Sequence, residues 1–128
     1  MPNVTHLECS LCAQHFAANQ IHNLCSCGGA LLVRYDLDAI RKSWRRESLA
    51  GARSDLWRYW PALPVMRQES IVSLGEGMTP LVQTPRLGAA VGARDLWVKD
   101  EGLNPTGSFK ARGMAAAISM ARELGIKK

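Results

Sequence analysis

The sequence predicts an α/β chain preceded by a small cysteine-bearing β segment, and three observations carry that prediction. All four cysteines fall within the first 35 residues, as C-x-x-C at Cys9 and Cys12 and C-x-C at Cys25 and Cys27. From Ile71 onward, short apolar runs alternate with helical spacing and with glycines and prolines, the order of strand, loop and helix. The longest periodic stretch comes last, where Phe109, Met114, Ala117, Ile118, Ala121 and Leu124 recur at three- and four-residue steps.

Hydrophobic residues make up 47% of the 128, enough for a packed core and too many for wholesale disorder. Composition divides the chain into three regions: a cysteine- and histidine-bearing segment at 1–35, a helical connector rich in arginine and tryptophan at 36–70, and the start of an α/β domain at 71–128. No apolar run approaches the roughly 20 residues that span a bilayer, and the first residues lack the basic and apolar regions of a signal peptide. The expected location is the cytoplasm, with no membrane partner. In that reducing setting clustered cysteines are more often metal ligands than disulfides. The formal charge is +5; four thiolates around one Zn²⁺ would bring it to +3, a modest value that points to a generally solvated surface rather than a nucleic-acid footprint.

In the connector, Asp36 or Asp38 is placed to cap a helix carrying Ile40, Trp44 and Leu49. Ser54 is placed to cap a second one with Leu56, Trp57 and Trp60, which Pro61 and Pro64 stop. Further on, residues 79–82 enter a short strand, residues 85–90 form a brief helix that Gly92 ends, and residues 96–99 form another strand. A turn-rich loop at 100–107 leads into a final helix over 108–124, whose Gly113, Ala115, Ala116 and Ala117 allow close packing. The chain then runs Gly125-Ile126-Lys127-Lys128, the way an α/β protein ends a helix and enters its next strand, so further layers are expected beyond it.

Zinc takes four ligands in a tetrahedron, and two short-spaced cysteine pairs on facing turns supply them. Twelve residues separate Cys12 from Cys25, enough for a hairpin, and Gly28-Gly29 suits the tight backbone of the second turn. Cys9, Cys12, Cys25 and Cys27 are therefore the candidate ligands of a structural zinc, in a zinc-ribbon-like β segment. The single residue between Cys25 and Cys27 departs from the usual spacing of two and leaves His15 or His22 open as a substitute ligand.

The strongest local signal is Asn104-Pro105-Thr106-Gly107-Ser108-Phe109-Lys110-Ala111-Arg112-Gly113. A lysine in the first turn of a helix sits near the positive end of the helix dipole. Burial against Phe109 and the alanine-rich face would add a desolvation cost. Both favour the neutral amine, which attacks aldehydes to make Schiff bases.

This decapeptide closely resembles the cofactor-lysine motif of the fold-type II pyridoxal-phosphate (PLP) enzymes, the tryptophan synthase β-like group. Leu74-Gly75-Glu76-Gly77-Met78-Thr79-Pro80-Leu81 resembles the L-G-E-G-x-T-P-L segment of threonine synthases. The C-G-G turn and Leu31-Leu32-Val33-Arg34-Tyr35-Asp36 resemble the ribbon-like extension that many of them carry. The resemblance implies an α/β fold-type II domain, present in part, with Lys110 as the Schiff-base lysine. Phe109 then lies near the cofactor ring or in ordinary core, and Ser108 either bonds around the cofactor or caps the helix. Arg112 pairs with a carboxylate or a carbonyl, and Gly75, Glu76 and Thr79 line the mouth of the site. The implied reaction converts O-phospho-L-homoserine and water to L-threonine and phosphate, in a homodimer at full length. The 128 residues alone are expected to have negligible activity, because the family's phosphate-cradling loop follows the lysine helix.

Threonine synthases often carry aspartate after the lysine, where this chain has Ala111. That departure bears on substrate and keeps a threonine or serine dehydratase as the nearest competing reading. A zinc-ribbon nucleic-acid module is the competitor from another class, with Arg41, Lys42, Arg45, Arg46, Arg53 and Arg58 beside Trp44, Trp57 and Trp60.

Overall fold

In a computed structural model that describes residues 2–127, with Met1 and Lys128 outside them, the chain begins with three short strands. β1 (Val4–Cys9), β2 (His15–Phe16) and β3 (Leu31–Tyr35) form an antiparallel sheet in the order β2-β1-β3. Alternation along a strand sends Leu7 and Cys9 to one face of β1 and His6 and Glu8 to the other. Across the sheet Leu7 pairs with Phe16 and Val33, and Cys9 with Leu31, while Glu8 pairs with His15 and His6 with Arg34. One face is thus apolar and the other charged.

Asp36 caps α1 (Leu37–Ser43) by accepting from the Ala39 amide at 2.8 Å. The helix stops at Ser43, earlier than the spacing of Ile40, Trp44 and Leu49 predicts, and Arg46–Leu49 forms a separate 3₁₀ turn. The second connector helix, Leu56–Ala62, is also 3₁₀. Its cap is Asp55 rather than Ser54: the Asp55 carboxylate accepts from the Trp57 amide at 3.0 Å and is held by Arg53 at 2.6 Å. Pro61, which has no amide to donate, keeps this segment short.

The core gathers Leu56, Trp57, Val65 and Ala115, with Trp60, Leu63, Ile71 and Met120 packed against them. Trp57 is 2% exposed and donates its indole N–H to the Val72 carbonyl at 3.2 Å; Trp60 does the same to Val65 at 2.7 Å. Two of the three connector tryptophans therefore serve the core, and Trp44 meets Tyr59 edge-on at 6.0 Å.

β4 (Leu81–Gln83) and β5 (Trp97–Lys99) pair antiparallel, joined through α2 (Pro85–Val91), which ends at the left-handed Gly92 as its sequence predicts. The last helix, α3 (Lys110–Glu123), buries Ala111, Ala115 and Ser119, one face at four-residue steps. The larger residues expected to form its buried face, Phe109, Met114 and Ile118, are exposed. Small side chains let α3 approach the extended segment at 71–73, where the Ser119 hydroxyl accepts from the Val72 amide at 2.8 Å. The helix terminates with Gly125 at φ +69 and the Ile126 amide bonded back to Ala121 at 2.9 Å, a Schellman-type stop.

Candidate functional site

The loop between β5 and α3 is fastened from both sides before it delivers Lys110. A 3₁₀ turn at Glu101–Leu103 leads to Asn104, which is buried. The Asn104 amide group donates to the Glu101 carbonyl and side chain, each at 2.9 Å, and its Oδ1 accepts from the Gly77 amide at 3.2 Å. Asn104 thereby clips the glycine-rich segment at 74–78 onto the lysine loop. Arg112, one turn into α3, closes the other side: its Nε and Nη2 donate to the two oxygens of Glu101 at 2.7 and 2.8 Å, and Nη2 reaches the Thr79 hydroxyl at 3.2 Å. The Arg112 guanidinium, with the Thr79 hydroxyl, holds the Glu101 carboxyl well below the usual carboxylate range, and Glu101 in turn pushes Arg112 up. The carboxylate anticipated for Arg112 is Glu101. Sequence reasoning missed it because the pairing is not local; the arginine gave the only signal.

Lys110 opens α3 at the positive end of the helix dipole, as expected. The expected burial is absent: Lys110 is exposed and Phe109 is 65% exposed, because the buried face of the helix begins at Ala111, not at the larger residues before it. Among the described residues no side chain hydrogen-bonds or ion-pairs with the Lys110 ammonium. The Ser108 hydroxyl accepts from the Lys110 amide at 3.4 Å, so its contact is with the helix start. An unengaged primary amine at a helix N-terminus, beside an exposed aromatic ring, fits an aldehyde cofactor that also carries an anionic group.

The glycine-rich segment is fastened to the lysine loop and to the connector. Glu76 is 1% exposed, and its Oε2 accepts from the Ser73 hydroxyl at 3.2 Å and the Leu74 amide at 2.8 Å. Its Oε1 has no hydrogen-bond partner among the described residues, and Glu76 lines a pocket of about 50 Å³ with Thr106, Ala111 and Ala115. Thr79 is buried and donates to Glu101 at 2.5 Å. Gly77 (φ +127) lies so near the connector that a Cβ there would stand 2.9 Å from the Leu56 nitrogen. These residues fasten the loop and leave the lysine open.

The four cysteines converge. The Sγ atoms of Cys9 and Cys27 lie 3.4 Å apart, those of Cys12 and Cys25 3.6 Å, and those of Cys12 and Cys27 3.5 Å. A Zn–S bond of ~2.3 Å implies a tetrahedral edge of about 3.8 Å, so the cluster needs little change to take the ion. Amides around the first turn, with the neighbouring thiols, bring the Cys9 thiol down to about 6. At Cys27 the Gly29 amide pulls downward, but the surrounding thiols outweigh it and push the group up to about 12. Neither histidine reaches the cluster: His15 faces Glu8 at 3.5 Å, and His22 Nε2 is bonded to the Ala17 carbonyl at 3.0 Å.

Residues 72–128, which hold β4, β5, the lysine loop and α3, match the family described as pyridoxal-phosphate dependent enzyme. That match takes in 57 of the 128 residues. The chain is 41% identical over 120 residues to the threonine synthase of Methanocaldococcus jannaschii and 40% over 122 residues to that of Methanosarcina acetivorans, 94% of this chain in each case. It is 52% identical over 71 residues, 54% of the chain, to the threonine synthase of a Synechocystis species. The chain spans 30%, 29% and 18% of those relatives. Its small sheets and helices are consistent with part of the family's domain, and no helix among the described residues is long and apolar enough to cross a membrane.

Proposed function

We propose that the protein acts in PLP-dependent threonine synthesis, converting O-phospho-L-homoserine and water to L-threonine and phosphate, with Lys110 as the cofactor lysine. The observation that carries this reading is the unengaged Lys110 amine, presented by a loop that Asn104 and the Arg112–Glu101 pair hold in place, in a chain similar to threonine synthases over 94% of its length. Pyridoxal phosphate, when bound, supplies an electron sink for charge developing on the substrate carbons. Lys110 Nζ would hold the cofactor at its aldehyde and would take and return the proton at the substrate α carbon. Phe109 would lie near the cofactor ring, and Ser108 holds the start of the helix by accepting from the Lys110 amide. This assigns residues 71–128 to the beginning of a fold-type II catalytic domain, residues 36–70 to a connector and residues 1–35 to a zinc-ribbon-like segment. In that segment Cys9, Cys12, Cys25 and Cys27 close one structural Zn²⁺ that leaves no position for substrate. The setting is cytoplasmic and the full-length enzyme a homodimer.

The chain is tested by adding pyridoxal phosphate, reducing with borohydride and mapping the modified peptide. The expected label falls on Lys110 in preference to Lys42, Lys99 and Lys127 and disappears in Lys110→Ala; labelling spread evenly over the lysines would refute the assignment. In a protein of the relatives' full length, O-phospho-L-homoserine should then yield threonine and phosphate together. Ala111 favours a second reading, a threonine or serine dehydratase, and that enzyme would instead release ammonia and a keto acid from the free amino acid.

A further inference from the structure

The charged face of the first sheet carries a second constellation, unconnected with the cysteines. His6 and Glu8 are two residues apart on β1 and so share a face, and His15 lies directly opposite Glu8 on β2. Glu8 Oε2 is 3.8 Å from His6 Nε2 and 3.5 Å from His15 Nε2, and the two imidazole rings lie with centroids 4.0 Å apart, tilted by 35°. One donor atom from each of the three residues falls within 4.8 Å of the others.

The surroundings prepare these atoms. Arg34, opposite His6 on β3, donates to Glu8 Oε1 through Nε at 3.1 Å and through Nη2, which fixes the carboxylate and leaves Oε2 turned to the histidines. The Thr5 hydroxyl donates to the Arg34 carbonyl at 3.1 Å, so at 2.9 Å from His6 Nδ1 it can only accept. His6 is therefore the Nδ1–H tautomer, with a bare lone pair on Nε2. That nitrogen is buried and, among the described residues, has no hydrogen-bond partner. A neutral imidazole oriented by a hydrogen bond at its other nitrogen is the form that binds metal.

We propose that His6, Glu8 and His15 bind a first-row transition-metal dication of the Zn²⁺ class, at a centre separate from the four cysteines. Two imidazoles and one carboxylate suit such an ion, and three protein ligands leave a fourth position open. The sheet keeps the centres apart, because Cys9 points to the opposite face of β1 from Glu8.

Titration of the chain with Co²⁺ tests this, since thiolate ligands give an intense charge-transfer band that imidazole and carboxylate do not. One equivalent is expected to bind without adding to that band. It should be lost in His15→Ala and weakened about 10–100-fold in Thr5→Val, which removes the hydroxyl that accepts from His6 Nδ1 and donates to the Arg34 carbonyl. His22→Ala should leave it unchanged. Circular dichroism identical to the parent would show that the variants fold. Absence of the thiolate-free equivalent from the parent, or its survival at full strength in His15→Ala, would overturn the proposal.

Discussion

Arg112 gives Nε and Nη2 to the two oxygens of Glu101, and Thr79 and Asn104 add hydrogen bonds to the same carboxylate. Four hydrogen bonds from three residues thus meet on one anion, which the guanidinium holds below the usual carboxylate range. A carboxyl held low in the fold contributes stability that is present above its unfolded value of about 4.3 and is lost as pH falls through its folded value. Arg112→Met removes the main cause of that shift. The variant should be less stable than the parent at neutral pH, and the difference should narrow as pH drops through the acid range. Urea unfolding at a series of pH values measures this; a penalty that stays constant down to strong acid would mean that Arg112 acts by packing alone.

At the scale of elements, the cysteine sheet is so small that its turns decide its geometry. A Cβ at Gly29 would stand 2.5 Å from Cys9 Sγ, so Gly29→Ala must push apart the two cysteine turns. We expect it to destabilise the chain by about 1–3 kcal/mol and to weaken Zn²⁺ binding measured against a chromophoric chelator. Gly113→Ala is the matched control: it meets nothing within 4 Å, lies inside α3 and should stabilise by about 0.5–1 kcal/mol. Equal behaviour of the two variants would detach Gly29 from the cluster. The same contrast explains what the sequence disclosed. Asp36 as a cap, Gly92 and Gly125 as helix stops, both strands of the β4–β5 pair and the convergence of the cysteines were legible because each depends on neighbours in the chain or on a short spacing. The buried face of α3 was not, since two stripes compete on one helix. Spacing alone favours the larger Met114 and Ile118, whereas the approach to Val72 selects Ala111, Ala115 and Ser119. Glu101 as the partner of Arg112, and Thr5 and Arg34 as supports for His6 and Glu8, depend on contacts that spacing does not report.

For the molecule as a whole, the two halves meet across α3. On its buried face the helix joins the tryptophan core through Ala115, and near its end the Glu123 carboxylate accepts from the amides of Met66 and Arg67 at 3.0 and 2.7 Å. On the neighbouring flank, Ala116, Ala117 and Met120 face Val4, Leu7, Leu31 and Val33 of the first sheet across an apolar cleft of about 470 Å³. Consecutive alanines therefore stand in opposite situations. Ala115 is 7% exposed against Leu56, Trp57 and Val65, so Ala115→Leu overpacks a filled core and should cost about 1–3 kcal/mol. Ala116→Leu places the same added carbons in the cleft, where they bridge the helix to the apolar face of the sheet, and should stabilise by about 0.5–2 kcal/mol. Thermal unfolding of the two variants beside the parent checks the difference in sign. If both lower the midpoint alike, the sheet already rests on α3 with no room between them, and the first 35 residues are held by direct packing rather than through the connector.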